Sequence, residues 1–442
     1  MKIMWLVNIL LPRIANSMGI ESKHVGGGWL TGISNALMDK ENVELYVCSP
    51  NSHINKYKIE MIERNLYNCT YQEENECVYN QTIKDYLEEL VQIIKPDIIH
   101  AFGTEYPRTC MMSEIAKKLN IPFCISITGM VGPYSQKYFG KVPYKYRNSI
   151  LRNIMAKVLP INTLNAGKKD FESRAVFEKK AIETTKYILG RTSWDDACTN
   201  QINQNVIYFK CNETLRDSFY KNTWSYHKCE RYTIMVPQMG YPIKGFEVFL
   251  EGLKIIKKRY PDVRVFVPGM SVFAIDNRVK RKIAIQLSDY TIYLEKLINR
   301  YDLNDNIIFC GPLDEAKMKE YMLKSNVFVL PSAIENSPNS LGEAMLLGVP
   351  SVASCVGGVQ SIMVDKKEGF IYPYDEPYMM AYYVMRLFES EELMNEISKA
   401  AKNRAKNLYD KEQNANRLTE IYNEILILEK KKEIYNDKKN DR

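Results

Sequence analysis

Hydrophobic and polar residues alternate along the chain in a rhythm that predicts parallel β-sheets flanked by helices. Short apolar runs bounded by turn residues are separated by longer amphipathic segments, which is typical of repeated strand–helix units. Five such runs in the first half are predicted strands: IMWLVNIL, VELYVCS, DIIHAFG, PFCISITG and KYILGRT. Five more are predicted in the second half: TIMVPQ, VRVFVPG, NIIFCG, VFVLPS and PSVAS.

This pattern predicts an α/β protein with two domains of similar size. The polar, aromatic stretch YKNTWSYHKCERY at 220–232 separates the two sets of strands, and we interpret it as a linker. After about Asp375 the pattern becomes helical and stays so. We therefore predict one domain at 1–228, a second at 229–405, and a returning helix with a charged tail at 406–442.

Composition restricts the class of protein only moderately. The 45% hydrophobic and 26% charged content of the 442 residues is that of an ordinary globular protein, and the net charge of +7 does not by itself indicate a nucleic-acid partner. The ten cysteines form no CxxC pair, and the four histidines lack metal-site spacing. The first apolar run contains Asn8 and ends at Pro12, and no run approaches the ~18 residues that span a bilayer. We expect a cytoplasmic protein with reduced thiols.

The segment ENSPNSLGEAM, residues 335–345, places two glutamates around a turn between two predicted strands. Glu335 falls in the loop and Glu343 on the following helix. Ser337 is the predicted N-cap of that helix, with Pro338 at its first position, where a missing N–H costs nothing. The loop leaves the carboxyl end of a strand, which is where open α/β sheets bind ligands.

The start of this helix is a predicted anion site because its first amides lack intrahelical partners and the helix dipole favours negative charge there. The amides concerned belong to Asn339, Ser340 and Leu341. Two carboxylates beside an anion site suit a ligand with hydroxyls on both sides of its phosphates, as in a nucleoside diphosphate sugar. The alternative interpretation is a capped helix with two solvated acids.

The stretch PSAIENSPNSLGEAMLLGVPSVASCVGGV, with YPIKGFEVFLEGLKII before it, resembles the E-x7-E signature of the family-four retaining glycosyltransferases. The resemblance covers roughly residues 230–390 well and the first half in outline. It implies the GT-B fold, in which two Rossmann-like domains face each other across a cleft and C-terminal helices return to the N-terminal domain. It also implies retaining, metal-independent transfer of a sugar from a nucleotide donor to a glycan, glycolipid or polyprenyl-linked acceptor in capsule, lipopolysaccharide or other cell-envelope polysaccharide synthesis.

The same resemblance implies roles for individual residues. Glu343 would bind the ribose hydroxyls, Glu335 would face the transferred sugar, and the amides between them would bind the diphosphate. Gly311, after the strand NIIFCG, would border the base. No cofactor is implied, and no metal is expected because the chain contains no Asp-x-Asp sequence.

A lysine–glycine pair, Lys244 and Gly245, is the second candidate element of the donor site. A lysine at a strand–helix junction facing the same crevice would neutralise the departing diphosphate, and stabilising developing charge is often the largest catalytic effect. The alternative is an exposed lysine at a helix start. The family often has an arginine five residues earlier, where this chain has Met239. Arg191 of the first half is a further candidate cation.

Two features of the first half are weaker candidates. Three glycines, Gly26, Gly27 and Gly28, precede an amphipathic helix, and their amides could bind phosphate or help to hold the acceptor, although a flexible helix entry explains them equally. His100 ends a predicted strand near the expected cleft, where a structural histidine is the alternative. Many relatives carry a histidine in a loop where this chain has Thr128–Gly129, so no catalytic histidine is assigned.

A basic, aromatic stretch suggests a membrane partner. Residues 115–169 contain ten Lys or Arg and no Asp or Glu, with tyrosines and a phenylalanine interleaved. Anionic headgroups attract such clusters and aromatic rings anchor at the interface, so residues 137–160 are a candidate peripheral membrane surface. A solvated basic face is the alternative.

Two rival functions remain open at this stage. One is another enzyme of the same two-domain shape, a nucleotide-sugar epimerase or a phosphorylase, the latter normally with a pyridoxal-phosphate lysine. The other is a non-catalytic binder of nucleotide sugars or nucleic acid. We prefer sugar transfer without a nucleic-acid partner.

Overall fold

A computed structural model describes residues 1–19, 28–40, 42–73, 75–147 and 149–440, with side chains described up to residue 432. The chain forms two compact units. The amino-terminal unit consists of residues 1–132, 173–215 and 409–442. The carboxyl-terminal unit consists of residues 133–172 and 216–408.

The amino-terminal unit is built on an eight-stranded sheet within the described residues, in the order β3-β4-β2-β1-β5-β6-β7-β8. All neighbouring strands pair in parallel except β3 and β4, which are antiparallel. The strands are β1 (Lys2–Leu6), β2 (Glu44–Pro50), β3 (Tyr57–Glu63), β4 (Leu66–Tyr71), β5 (Ile98–Phe102), β6 (Phe123–Ser126), β7 (Tyr187–Gly190) and β8 (Ile207–Lys210).

The carboxyl-terminal unit is built on a six-stranded, fully parallel sheet, again within the described residues, in the order β11-β10-β9-β12-β13-β14. Its central strands are buried on both faces, as expected where helices cover a parallel sheet. The strands are β9 (Thr233–Met235), β10 (Arg264–Pro268), β11 (Ile307–Gly311), β12 (Val327–Leu330), β13 (Ser351–Ser354) and β14 (Phe370–Tyr372).

Helices connect most of the strands, and several of them bury one face. In the helix at 81–94, for example, the buried residues Ile83, Leu87, Leu90 and Ile94 recur every three or four residues, as the helical period requires. The helices before residue 205 are α1 (Pro12–Ser17), α2 (Gly28–Met38), α3 (Gln81–Ile94), α4 (Pro107–Lys118), α5 (Val131–Gln136), α6 (Tyr144–Arg147), α7 (Ile150–Met155), α8 (Leu164–Thr184) and α9 (Ser193–Ile202). The later helices are α10 (Phe246–Arg259), α11 (Arg278–Gln286), α12 (Asp289–Arg300), α13 (Glu315–Lys324), α14 (Asn339–Leu347), α15 (Val359–Ile362), α16 (Pro377–Glu389), α17 (Glu391–Leu408) and α18 (Lys411–Asn440).

The last helix, α18, returns to the amino-terminal unit, as predicted. Its residues Leu418, Ile421 and Ile425 belong to the hydrophobic core of that unit. Tyr422 of the same helix accepts a hydrogen bond from the indole Nε1 of Trp5 at 2.9 Å, and both residues are fully buried. Burying this helix stabilises the unit because its apolar stripe leaves water.

The ten predicted strands all correspond to observed strands, and four further strands were not predicted. These are β3, β4, β8 and β14. Strand β3 alternates charged and apolar residues at the sheet edge, and β14 has only three residues, so neither presents a continuous apolar run.

The division between the units differs from the predicted one. Residues 133–172 lie with the carboxyl-terminal unit because they bind its buried carboxylates. The amide of Lys141 donates to Glu247 at 3.0 Å, and Arg152 forms an ion pair with Asp289. The stretch interpreted as a linker also packs on this unit, since Trp224 is buried and its amide donates to the carbonyl of Leu347 at 2.7 Å.

Candidate functional site

The candidate site lies where the chain leaves the carboxyl end of β12 and enters α14. Pro338, not Ser337, is the N-cap residue, so the helix begins one residue later than predicted. Proline cannot cap with a side chain, but its carbonyl accepts hydrogen bonds from the amides of Leu341 at 3.0 Å and Gly342 at 3.2 Å. The amide of Leu341, predicted to be unpaired, therefore has a partner.

The amides of Asn339 and Ser340 remain as the two donors at this helix start without a partner among the described residues. The side-chain oxygen of Asn339 is also buried and unpartnered in this part of the chain. Buried polar groups are nearly always hydrogen-bonded, so unsatisfied ones at a helix N-terminus indicate a place for a ligand. The free donors carry the positive end of the helix dipole and favour an anion.

Glu335 lies in the loop before α14 and is only 6% exposed. Its carboxylate accepts hydrogen bonds from Lys244 Nζ at 2.7 Å and from Ser332 Oγ at 2.8 Å. The carbonyl of Glu335 accepts from the amide of Gly358 at 3.0 Å. Gly357, with φ +48°, lies so close that a Cβ atom there would be 1.8 Å from the same carbonyl oxygen. The two glycines after β13 therefore fix the backbone that carries Glu335.

Lys244 reaches Glu335 from a second loop, between β9 and α10. It ends a short 3-10 turn, and the next residue, Gly245, has φ +66° and lies against the loop after β12. A Cβ atom on Gly245 would be 1.9 Å from the carbonyl oxygen of Pro331, so only glycine fits there. Burial lowers the pKa of Lys244, but the adjacent carboxylate of Glu335 and Tyr241 more than offset this, and the net pKa is raised. Lys244 is therefore charged, and with a side chain only 17% exposed it is not an exposed lysine at a helix start.

Glu343 lies on α14, more than one turn after its start, and is also only 6% exposed. Its two carboxylate oxygens accept hydrogen bonds from Arg216, from Nε at 2.6 Å and from Nη2 at 2.7 Å. Burial raises the pKa of Glu343, and the Arg216 guanidinium counteracts part of that rise. The interpretation of Glu335 and Glu343 as solvated acids is therefore wrong.

Arg216 was not predicted as a site residue. It begins the second segment of the carboxyl-terminal unit, residues 216–408, and its guanidinium lies over the ring of Phe219, 4.5 Å from the centroid. The sequence around it, ETLRDSFY, has no glycine turn, strand run or helix signal that marks a ligand-binding loop. Only the fold brings it next to Glu343, 127 residues later in the chain.

The remaining donor-side candidates lie near carboxyl strand ends but are not shown in contact with the two glutamates. Gly311 is the last residue of β11, has φ +69°, and accepts a hydrogen bond from the amide of Gly269 at 2.8 Å. Met239, at the place of the family's arginine, is 4% exposed, and its sulfur accepts a hydrogen bond from Ser271 Oγ at 3.7 Å. An apolar side chain thus occupies that place, and Lys244 and Arg216 are the cations beside the glutamates.

The candidates in the amino-terminal unit have different surroundings. Gly26 and Gly27 lie outside the described residues, and Gly28 is the first residue of α2. His100 lies in the middle of β5 and not at its end as predicted, and its ring nitrogens contact Tyr422 Oη at 2.7 Å and Ser126 Oγ at 2.8 Å. Complete burial lowers the pKa of His100 to about 3, so the imidazole is neutral.

Arg191 is also bound within the fold, although its buried Nε has no partner among the described residues. It forms an ion pair with Glu213, and its Nη2 donates to the carbonyl oxygens of Ile127 at 3.1 Å and Thr128 at 3.3 Å. Arg191 and His100 line the same cavity, which has a volume of about 20 Å³, close to that of a single water molecule. These contacts are those of structural groups, and a role of either residue in ligand binding stays a prediction.

Within the described residues, no group of three or more His, Cys, Asp or Glu side chains is arranged to hold a metal ion.

The same part of the chain contains no helix that is both long and apolar enough to cross a membrane.

Comparison with solved structures establishes the fold. Sucrose-phosphate synthase from Thermosynechococcus elongatus superimposes with a TM-score of 0.66 over 97% of this chain and 99% of that chain, at 14% identity. HepE from Anabaena in complex with UDP-glucose gives a TM-score of 0.64 over 96% of this chain and 100% of that chain, at 15% identity. The protein has the GT-B fold. At sequence identities this low, the structural comparison shows the fold and not the activity.

Comparison with sequence families identifies the carboxyl-terminal part. Residues 220–404, less than half of the chain, match the family described as Glycosyl transferases group 1. "Putative glycosyltransferase YtcC" of Bacillus subtilis is 26% identical over 187 residues, which are 42% of this chain and 43% of that protein. The matched segment thus spans less than half of this curated relative. The family match at 220–404 includes Lys244, Glu335 and Glu343.

Proposed function

We propose that the protein is a retaining glycosyltransferase that moves a sugar from a nucleoside diphosphate donor to a glycan or glycolipid acceptor of the cell envelope. One observation carries the proposal. Two buried carboxylates, each bound to a basic side chain, flank a helix start with unpaired amides, inside a glycosyltransferase group 1 domain.

The free amides of Asn339 and Ser340 are the proposed diphosphate-binding groups. Two N–H donors and the helix dipole favour an anion at this place. Lys244 is the proposed cation that stabilises the negative charge as the nucleoside diphosphate leaves, because it is charged and buried next to Glu335. A charge held in a water-poor site stabilises a transition state more than one in water.

The two glutamates are the proposed sugar-binding groups on either side of the diphosphate. Glu343 would accept hydrogen bonds from the ribose hydroxyls, and Glu335 from hydroxyls of the transferred sugar. Arg216 and Lys244 form ion pairs with these carboxylates. A buried carboxylate without a partner is unfavourable, so each basic residue offsets the cost of burying its acid.

The proposed chemistry breaks the bond between the anomeric carbon and the donor phosphate oxygen, with the electron pair leaving on the nucleoside diphosphate. The acceptor hydroxyl oxygen forms the new bond on the face that the diphosphate leaves, and a donor phosphate oxygen takes its proton. The configuration at the anomeric carbon is thereby retained. We propose that this reaction needs no metal, since Lys244 and the helix amides supply the positive charge. With a polyprenyl-linked acceptor, the reaction takes place at the cytoplasmic face of a membrane.

A donor panel tests the proposal. UDP-, GDP- and ADP-sugars are added with EDTA present, and thermal unfolding and release of nucleoside diphosphate are measured. A donor at ~100 times its Kd stabilises the protein by ~2.7 kcal/mol, so one class should raise Tm by several degrees. NMR of the product should show the donor's anomeric configuration. The proposal is overturned if no donor in the panel raises Tm or turns over.

A further inference from the structure

An unusual number of apolar side chains face solvent between residues 144 and 159 of the carboxyl-terminal unit. Ile150 is 77% exposed and Val158 is 87% exposed, in a unit whose other apolar side chains mostly pack in its core. Further exposed apolar residues of this stretch are Tyr144, Leu151, Ile154, Met155 and Leu159. Such a concentration of exposed apolar groups usually marks an interaction surface.

The same stretch is strongly basic. It contains four basic residues and no acidic one: Lys145, Arg147, Arg152 and Lys157. Arg152 is consumed by its ion pair with Asp289 and its hydrogen bond to the carbonyl of Gln286 at 2.9 Å, and so anchors the stretch to the rest of the unit. Lys145 and Lys157 are exposed.

Helix α11 repeats this combination of apolar and basic groups. Val279 and Ile283 are 68% and 59% exposed and lie one turn apart, hence on the same face. The helix has four basic residues and no acidic one: Arg278, Lys280, Arg281 and Lys282. The sequence analysis did not single out this helix.

The two elements are neighbours in the fold. Arg152 of α7 bonds the last residue of α11, and the amide of Asn162 donates to the carbonyl of Leu287 at 2.7 Å. The amide of Asp289 in turn donates to the carbonyl of Asn162 at 3.3 Å. We call residues 144–159 and 278–286 together the basic apolar surface.

We propose that the basic apolar surface binds a bilayer that contains anionic lipids. Its charge favours an anionic partner and opposes association with a second copy of the same surface. Apart from Arg152, which is paired with Asp289, seven basic residues and no acidic one of this surface would face their equivalents. A nucleic acid would satisfy the charges but not the exposed apolar side chains. A bilayer satisfies both, since phosphate headgroups pair with Lys and Arg while apolar side chains enter the acyl boundary.

The proposal does not depend on the proposed sugar transfer, because none of its residues belongs to the candidate donor site. The expected binding free energy is a sum of weak contributions from individual residues. Near an anionic surface each Lys or Arg strengthens binding about fivefold, and the attraction falls within a Debye length, about 8 Å at physiological salt. Binding should therefore require both anionic lipid and low to moderate salt.

Vesicle co-sedimentation of the full chain tests the proposal. Vesicles of phosphatidylcholine alone are compared with vesicles containing 30% phosphatidylglycerol, at 0.1 and 0.5 M NaCl. We expect binding to the mixed vesicles that is at least tenfold tighter than to phosphatidylcholine and that weakens at high salt. Equal binding to both vesicles, or none to the mixed ones, overturns the proposal.

Two surface variants assign the binding to these residues. Lys280→Glu/Lys282→Glu should weaken binding to the mixed vesicles at least 20-fold, and Ile150→Ser/Val158→Ser should weaken it several-fold. The matched controls are Lys399→Glu/Lys406→Glu on α17 and Met61→Ser/Val78→Ser in the amino-terminal unit, all at exposed residues. They should bind as the unchanged protein does.

Folding of each variant is checked by thermal unfolding, and oligomeric state by sedimentation velocity. All the substituted side chains are exposed, so Tm should change by less than about 3 °C. Control variants that lose binding as strongly as the surface variants would overturn the assignment. So would a dimer that the Ile150→Ser/Val158→Ser variant converts to a monomer, because the surface would then be an interface between copies of the chain.

Discussion

Both units of the protein bury charged or titratable side chains near the carboxyl ends of their strands, but they do so in different ways. In the amino-terminal unit both ring nitrogens of His100 are hydrogen-bonded, and Arg191 is bound to a carboxylate and two carbonyls. In the carboxyl-terminal unit Glu335 and Glu343 lie beside amides that have no partner among the described residues.

This difference shows that burial of a polar group does not by itself mark a functional site. His100 is more deeply buried than either glutamate, yet its hydrogen-bonding capacity is fully used within the fold. The site around α14 differs in combining backbone donors that have no partner among the described residues with two buried carboxylates at one helix start, and we propose that this combination binds a ligand. Substitutions in each of the two units test this difference.

The largest effect is expected for Glu335→Gln. The amide can still accept a hydrogen bond from Lys244, so the loop should keep its structure, but the charge facing the proposed sugar is lost. We expect kcat to fall about 100- to 1,000-fold, as when a single preorganised electrostatic group is removed. Tm should also fall, because the charged Lys244 loses its ion partner. Steady-state kinetics and thermal unfolding measure both. Glu368→Gln is the matched control, since Glu368 is a buried acid of the same unit that accepts from the amide of Val364.

The next largest effect is expected for Arg216→Ala. Removing one partner of a buried ion pair leaves the carboxylate of Glu343 unpaired, which costs about 3–5 kcal/mol. Burial already raises the pKa of Glu343, and the loss of Arg216 should raise it further. The loss of unfolding free energy should therefore be larger above this pKa, where the carboxyl group is charged, than below it, where the group is protonated. Urea unfolding at pH 5 and pH 8 measures the loss of unfolding free energy and its dependence on pH. Arg264→Ala is the control: it breaks a more exposed ion pair with Glu230 and should cost less than about 1 kcal/mol of stability. Equal stability losses in the two variants would contradict the buried character of the Arg216–Glu343 pair.

A smaller effect, confined to acid pH, is expected for His100→Gln. The pKa of His100 is lowered from 6.5 to about 3, so the unfolded chain binds a proton that the folded protein does not. This contribution to stability is complete above pH 6.5 and is lost as the pH falls towards 3; between pH 6.5 and 5 the loss is about 2 kcal/mol. The variant should lack this part of the pH dependence in urea unfolding. The control His227→Gln, at an exposed histidine, should retain this pH dependence. If His100 were catalytic, His100→Gln would instead show a large loss of kcat at pH 7.

An effect on the position of Glu335 rather than on a charge is expected for Gly357→Ala. The new methyl group would meet the carbonyl oxygen of Glu335, and φ of +48° is unfavourable for alanine, which together cost about 1–3 kcal/mol. Because the displaced backbone carries Glu335, turnover should fall more than stability. Gly240→Ala is the control, since its Cβ would meet no atom within 4 Å. Unchanged turnover in Gly357→Ala would show that the glycine pair does not position Glu335.

The sequence predicted much of this picture because its signals are local. Apolar runs located ten strands, and the spacing of Glu335 and Glu343 around a turn located the helix start between them. The exact start was missed by one residue because Pro338 itself is the N-cap. Arg216 and the placement of residues 133–172 could not be predicted, since each depends on a contact made across about a hundred or more residues of chain.

The central claim is that the start of α14 binds the diphosphate of a sugar nucleotide between Glu335 and Glu343. A crystal structure of the protein with a nucleoside diphosphate sugar selected by the donor panel tests it most directly. We expect the diphosphate on the amides of Asn339 and Ser340, the ribose hydroxyls on Glu343, and Glu335 facing the sugar. A well-ordered ligand bound elsewhere, with Arg216 still on Glu343 and Lys244 still on Glu335, would contradict the claim.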